Sequence, residues 1–318
     1  MKTNIKIQFT YLLMFSFLAI LMQSCQEDWL EPKPLSIYVP ENVYIDQAGM
    51  EGSLLALREG LRTEIYSGSR MLASELFSSD ISIVGSEVAR LIKNFNTQLT
   101  PTAVPDYVFT LKYWPLAYNQ IRNANVILSR IDNVDINEQI KNQIKAEALF
   151  FRAFWYYRLI NQFGDVPFIN EEHTAPKLDF YSHSRITILN KIQEDLEFSV
   201  LWLPEVVEPG KTNRAAGYHL LTKVYLANLQ FDKAITSASS VIDNGKNSLM
   251  TERFGIVADD DRFNVIWDLH QKENKSISEN TEGLLVVQDK YGFPGSTGGT
   301  NTMRDLTPFW SHGSYIKD

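Results

Sequence analysis

The stretch KAEALFFRAFWYYRLINQFGDVP, at residues 145–167, decides the fold. Apolar side chains in and just before it follow steps of three and four residues, the spacing of one helix face: Ile140, Ile144, Ala148, Phe151 and Trp155. Other faces also carry large side chains, as in a helix surrounded by other elements. Gly164-Asp165 ends the pattern, and Pro167 disfavours helical geometry in the residue before it. The sequence therefore predicts a central helix over Asn137–Phe163.

Helical periodicity continues on both sides of this stretch. Five further segments carry an apolar face with helical spacing. They are Ala48–Arg62, Tyr113–Ile131, Arg185–Leu201, Arg214–Leu229 and Lys233–Ile242. Asn213 and Asp232 precede the last two segments and are predicted N-caps, because short polar side chains there accept hydrogen bonds from free N–H groups. The predicted fold class is mostly α.

The last two predicted helices look like a tetratricopeptide pair. Small residues on both helices would allow a close approach: Ala216, Ala227, Ala234 and Ala238. No clean repeat period runs along the whole chain, so any further pairs have diverged. After Asn247 the pattern changes, because Val265–Trp267 and Leu284–Val287 are β-like runs and Tyr291–Thr302 is rich in glycine. We therefore predict tetratricopeptide-like helix pairs followed by an irregular, partly β C-terminal segment.

The N-terminus has the layout of an export signal that ends at the only cysteine. Two lysines precede the nearly unbroken apolar stretch Phe9–Met22, which is short for a membrane-spanning helix. The layout is similar to a bacterial lipobox, so residues 1–24 are predicted to be a lipoprotein signal peptide and Cys25 the acylated N-terminus. The alternative is an ordinary cleaved signal with an incidental cysteine. Residues 25–40 include three prolines and are predicted to form an extended tether.

Charge and cysteine content argue against a nucleic-acid-binding protein and against a disulfide-bonded one. The chain has 30 Lys and Arg against 38 Asp and Glu, which gives a formal net charge of −8. Its basic residues form no run, so a nucleic-acid partner is not expected. A single cysteine excludes an intrachain disulfide.

The sequence offers no specific motif for a cofactor, a metal ion or catalysis. Its five histidines lack metal-ligand spacing. The acidic run 259–261 does not match a calcium-binding loop and is interpreted as an exposed turn, with an adventitious calcium site as the weaker alternative. The glycines of 292–299 match no phosphate-binding motif, and no carboxylate pair stands out for glycoside hydrolysis. We expect no cofactor, no metal site and no catalytic residue.

Four segments together resemble the SusD/RagB family of Bacteroidetes outer-membrane lipoproteins. They are the lipobox with the acidic residues after it, Tyr113–Asn125, Lys145–Pro167 and Asn213–Ala234. The resemblance implies a helical SusD-like domain over residues 41–245, with 246–318 as the start of a truncated C-terminal segment. It also implies a lipid anchor in the outer membrane, facing outwards. There the protein would capture glycan, without catalysis, for a TonB-dependent, SusC-like transporter.

Two functions follow from this resemblance. The first is glycan binding, in which aromatic side chains stack on sugar rings and polar side chains bond their hydroxyls. The second is a structural scaffold of the transporter with no ligand of its own. For glycan binding, aromatics outside the helical pattern are the candidate residues, with Trp310 first. The candidates are Phe95, Tyr107, Phe109, Phe293, Phe309 and Trp310.

Overall fold

Seven α-helices and two short strands occur in the part of the chain that the computed structural model describes, residues 43–66 and 113–289. The helices are α1 (Gln47–Tyr66), α2 (Trp114–Arg130), α3 (Glu138–Phe163), α4 (Arg185–Trp202), α5 (Arg214–Ala227), α6 (Phe231–Ile242) and α7 (Val265–His270). The strands are β1 (Val166–Pro167) and β2 (Ser182–His183), which pair antiparallel. Single turns of 3-10 helix lie at Ile131–Asn133 and Gly255–Val257. The mostly α prediction is confirmed.

Helix α3 is central, as its sequence predicts. Its N-terminus is capped by Asn137, whose side chain accepts a hydrogen bond from the Gln139 N–H, and it ends at Gly164 with φ 73°. That positive φ is a conformation that glycine adopts without steric cost. Phe151, Trp155 and other large side chains are fully buried. The helix packs most extensively on α4 and α2 and also contacts α1.

The helices from α2 to α6 pack in sequence order, each mainly on its neighbours in the chain. Gly217 in α5 permits one close approach, because a Cβ there would lie 3.0 Å from Leu203 and 3.2 Å from Val200 of α4. The predicted cap of α5 is confirmed, since Asn213 accepts a hydrogen bond from the Ala216 N–H. The predicted cap of α6 is wrong. That helix begins two residues earlier than predicted, so Asp232 lies within its first turn.

The described C-terminal residues, 246–289, contain short helices and extended chain but no strand. The predicted β-like run Val265–Trp267 is the start of α7. Asn264 accepts a hydrogen bond from the Trp267 N–H and so caps a helical turn, which outweighs the β preference of Val and Ile. The run at Leu284–Val287 has no strand partner, although Leu285 and Val287 pack against the core. The predicted domain boundaries stay predictions.

Candidate functional site

All residues predicted for lipidation or ligand binding lie outside the described residues. They are Cys25, Phe95, Tyr107, Phe109, Phe293, Phe309 and Trp310. Their roles stay predictions. Within residues 43–66 and 113–289, every helix is too short or too polar to cross a membrane. Three features of the described part of the chain are candidate binding sites: a buried polar cluster, a cleft and the exposed aromatic surfaces.

The buried polar cluster holds the chain that follows α3. The Tyr156 hydroxyl donates to the Ile169 carbonyl oxygen over 3.1 Å and accepts from the Ile169 N–H over 2.6 Å. Asn125 donates to the same carbonyl, and Tyr118 donates to the Pro167 carbonyl oxygen. Burial raises the pKa of both tyrosines above the usual range, so both hydroxyls stay protonated. Side chains of α2 and α3 thus satisfy backbone groups that would otherwise be buried without partners.

Arg152 lies at the centre of this cluster. Its guanidinium makes a two-pronged ion pair with Asp195 of α4, with N–O distances of 2.8 and 2.7 Å. It also donates to the Asn125 side-chain oxygen and to the Asn170 carbonyl oxygen, over 3.0 and 3.2 Å. Burial raises the pKa of Asp195, and the Arg152 guanidinium opposes that shift. Because these groups bind one another, the cluster joins α2, α3 and α4 and leaves little capacity for a ligand.

A cleft of about 330 Å³ lies between α1 and the extended residues 285–288. Arg58 on its α1 wall pairs with Glu147 of α3 through two N–O distances of 2.7 Å. The Thr212 hydroxyl donates to the same carboxylate over 3.1 Å. The volume is at the lower end of the range for small-molecule pockets. Glu147 thus neutralises the Arg58 guanidinium. The rest of the cleft lining combines apolar side chains with polar ones, which are Glu59, Arg62, Lys211 and Gln288.

A stacked pair of aromatic rings lies at the surface at α7. The rings of Phe263 and Trp267 lie parallel, with 4.5 Å between centroids and 9° between planes. Trp267 is 46% exposed, although Phe263 covers one of its faces. The Arg262 guanidinium carbon lies 5.4 Å from the Phe263 ring centroid, and Arg262 also pairs with Asp260. We call Phe263 and Trp267 the aromatic platform.

A buried polar hub fixes the aromatic platform to the protein. The Arg253 guanidinium donates to both carboxylate oxygens of Asp268 and to the carbonyl oxygens of Phe263, Asp260 and Val257. These hydrogen bonds lower the pKa of Asp268 and raise the pKa of Arg253, so both groups stay charged. Asn274, fully buried, donates to the Asp268 and Phe254 carbonyl oxygens. The backbone of both platform residues is therefore held in place.

A second aromatic surface flanks β2, but its rings do not form one flat face. Tyr181 is 71% exposed, and its ring lies 4.8 Å from the His183 ring at an angle of 33°. The Phe180 ring lies 5.7 Å from the His173 ring at 52°. The preceding loop is attached to α2 through the Arg130–Glu172 pair, with two N–O distances of 2.8 Å.

No metal centre is evident in the described residues. Within 43–66 and 113–289, no group of three or more His, Cys, Asp or Glu side chains is placed to hold a metal ion. The run 259–261 is a surface turn. Hydrogen bonds from Arg262 lower the pKa of Asp260, so this carboxylate is already paired with a cationic side chain of the protein.

Sequence reasoning missed the aromatic platform. The run at Val265–Trp267 indicated a strand, and a strand would place Phe263 and Trp267 far apart. One signal could have revealed the stack. Asn264 is a good N-cap, and residues four apart, such as Phe263 and Trp267, can meet across one helical turn.

Comparison with known proteins defines the family. A SusD-like family model, described as "Starch-binding associating with outer membrane", matches residues 28–226. The match spans more than half of the chain, and the chain belongs to this SusD-like family.

Two curated relatives come from Formosa agariphila. The chain is 28% identical to SusD-like protein P2 over 244 residues, which cover 74% of this chain and 46% of that protein. It is 24% identical to SusD-like protein P25 over 272 residues, which cover 81% and 51% respectively. The chain therefore spans about half the length of the curated relatives that it matches.

Solved structures share the fold. A SusD-like protein from Bacteroides fragilis matches with a TM-score of 0.63 at 21% identity, over 84% of this chain and 48% of that one. A laminarin-binding SusD-like protein matches with a TM-score of 0.56 at 22% identity, over 66% and 48%. At these identities the likeness establishes the helical fold alone. The predicted family and fold class are thus confirmed.

Proposed function

We propose that this chain acts as a cell-surface lipoprotein that binds glycan and delivers it to a TonB-dependent outer-membrane transporter, without catalysis. The observation that carries the proposal is the SusD-like family match over residues 28–226. It fits the described fold, in which helices pack in sequence order and leave loops and irregular segments to form a binding surface.

The ligand class follows from the family and from the chemistry of the exposed side chains. A similar structure is that of a laminarin-binding SusD-like protein, which supports a carbohydrate as the ligand here. A sugar ring offers apolar C–H faces to an aromatic ring and hydroxyls to polar side chains. Aromatic side chains fixed at the surface, together with neighbouring Arg and Asp, meet both requirements.

Glycan binding is tested on the full chain, extracted in detergent. We expect retarded migration in native gels that contain a retained polysaccharide, chosen from a panel that includes soluble starch and laminarin. Product analysis of the same mixtures should show no shortening of the glycan. Retardation by no polysaccharide would contradict the binding role, and release of oligosaccharides would contradict the non-catalytic role.

The lipid anchor is tested at Cys25. Cys25→Ala should abolish incorporation of labelled palmitate and move the protein out of the outer-membrane fraction, because a single anchor site would be lost. Ser24→Ala is the matched control, since it keeps a small residue before the cysteine and should still be acylated. A Cys25→Ala protein that stays in the outer membrane would contradict the anchor. Transporter delivery predicts that the acylated protein co-purifies with a TonB-dependent transporter.

The alternative is a structural role, in which the protein docks on the transporter and binds no glycan. One observation favours it. Phe231, 57% exposed, lies on α6 with the exposed Ile235 and Ile242, and these apolar side chains have no partner helix among the described residues. Co-purification with the transporter combined with no glycan binding across the panel would support the alternative.

A further inference from the structure

We infer that the aromatic platform, Phe263 and Trp267, is a contact site for a neutral glycan. The inference rests on the proposed function and names residues and a ligand class for it. The two rings are stacked, with 9° between their planes, so each covers one face of the other and the second face of Trp267 is the flat surface left for a sugar ring. Trp267 is 46% exposed, so part of its indole surface is open to a ligand.

The platform is preorganised. The Arg253 guanidinium donates to the Phe263 carbonyl oxygen over 2.9 Å. The Asn264 side chain accepts from the Trp267 backbone N–H over 3.0 Å. Arg253 is itself anchored by Asp268, whose side chain is fully buried. A binding surface whose backbone is already fixed loses less conformational entropy when a ligand arrives. The β2 surface around Tyr181 lacks this parallel arrangement, since its ring planes are inclined by 33° and 52°.

Polar groups suited to sugar hydroxyls surround the platform. Arg262 is 80% exposed and lies beside the Phe263 ring while its guanidinium binds Asp260. The Trp267 indole N–H is a hydrogen-bond donor on the platform itself. A sugar ring presents C–H groups on its faces and hydroxyls around its edge. It therefore fits a flat apolar face that is bordered by hydrogen-bond donors and acceptors.

Charge around the platform favours a neutral ligand. The surface turn just before it carries Asp259 and Asp261 in addition to Asp260. Of the nearby cations, Arg253 and Arg262 are both bound to carboxylates. An anionic polysaccharide would therefore meet more repulsion than attraction here, whereas a neutral one would not.

The experiment compares variants of the full chain in polysaccharide affinity gels. Trp267→Ala should weaken binding of the retained neutral polysaccharide by about tenfold or more, as loss of a binding hot spot does. Phe263→Ala should weaken it less. Phe231→Ala is the matched control, since that exposed ring lies on α6 outside the platform and should leave affinity unchanged. Alginate, an anionic polysaccharide, should bind more weakly than the neutral one.

A second measurement needs no variant. N-bromosuccinimide oxidises accessible tryptophans, and mass spectrometry of peptides reports the extent at each position. The retained neutral polysaccharide should protect Trp267, while a non-retained polysaccharide should not.

The outcomes separate this inference from the proposed function. A parent protein that binds neutral glycan while Trp267→Ala binds equally well, with no protection of Trp267, would overturn the platform and leave the function standing. Stronger binding of alginate would overturn the ligand class. A parent that binds no polysaccharide would overturn the proposed function and this inference with it.

Discussion

The Tyr156 hydroxyl satisfies both backbone polar groups of Ile169, donating to its carbonyl oxygen over 3.1 Å and accepting from its N–H over 2.6 Å. The two residues are separated by a helix end and a tight turn, at Gly164. The turn reverses the chain so that it runs back beside α3, where no neighbouring strand is available at Ile169. The Tyr156 hydroxyl takes the place of the hydrogen-bond partners that a strand would supply.

Tyr156→Phe tests this relationship. The ring would stay buried, but the partly buried Ile169 N–H would lose its partner, so we expect a loss of about 1 kcal/mol, the lower end of the cost of an unpaired buried group. Urea unfolding should show that loss in the free energy of unfolding. Tyr157→Phe is the matched control, on the next residue of the same helix and only partly buried. We expect a change within about 0.5 kcal/mol there. Equal effects would contradict a specific role for the Tyr156 hydroxyl.

Asp195→Ala tests the buried ion pair. Removing the carboxylate leaves the Arg152 guanidinium buried without a counter-charge, which should lower the free energy of unfolding by about 3 to 5 kcal/mol. The double variant Arg152→Met with Asp195→Leu should lose less, because neither charge is then buried alone. Thermal unfolding of both variants gives the comparison. A double variant less stable than Asp195→Ala would show that the pair stabilises the fold beyond compensating its own burial.

The helices could be predicted because their information is local. Apolar spacing located α3, and Asn213 marked the start of α5. The Arg152–Asp195 pair could not be predicted, since helical spacing marks position 152 as inward-facing but says nothing of a partner on another helix. The predicted cap at Asp232 was wrong, because α6 begins at Phe231 and Asp232 lies in its first turn.

The candidate site was harder to predict than the fold. Phe263 and Trp267 form a stack only because α7 is a helix, and α7 is held by the contact between Arg253 and Asp268. That contact joins residues 15 apart in an irregular segment, where no periodicity applies. Propensity favoured a strand at Val265–Trp267, and the local Asn264 cap together with the Arg253–Asp268 hydrogen bonds outweighed it.

The Arg253–Asp268 pair predicts a specific pH dependence. Hydrogen bonds from Arg253 lower the pKa of Asp268 in the folded protein. A carboxylate of this kind adds stability that is fully present above its unfolded-state pKa, about 4, and is lost as the pH falls through the lower folded value. The parent should therefore have a higher Tm than Asp268→Asn at pH 7, and the difference should shrink below about pH 4.

Asp243→Asn is the control for this prediction, because Asp243 is an exposed carboxylate at the end of α6. Its Tm should follow that of the parent at every pH. A difference between parent and Asp268→Asn that persists unchanged at pH 3 would show that the charge of Asp268 is not responsible.

Two glycines of α1 give opposite predictions for the same substitution. A Cβ at Gly60 would lie 2.7 Å from Nε2 and 2.8 Å from Cγ of the buried Gln120, so α1 approaches α2 closely at this point. Gly60→Ala forces the Gln120 side chain to move within a packed interface, and we expect a loss of about 1 to 3 kcal/mol in the free energy of unfolding. At Gly52, which is exposed, a Cβ would meet no atom within 4 Å. Gly52→Ala should stabilise the protein by about 0.4 to 1 kcal/mol, because alanine restricts the unfolded chain at no steric cost. Chemical denaturation of both variants measures these changes in the free energy of unfolding. A stabilising Gly60→Ala would contradict the tight contact between α1 and α2 at Gly60.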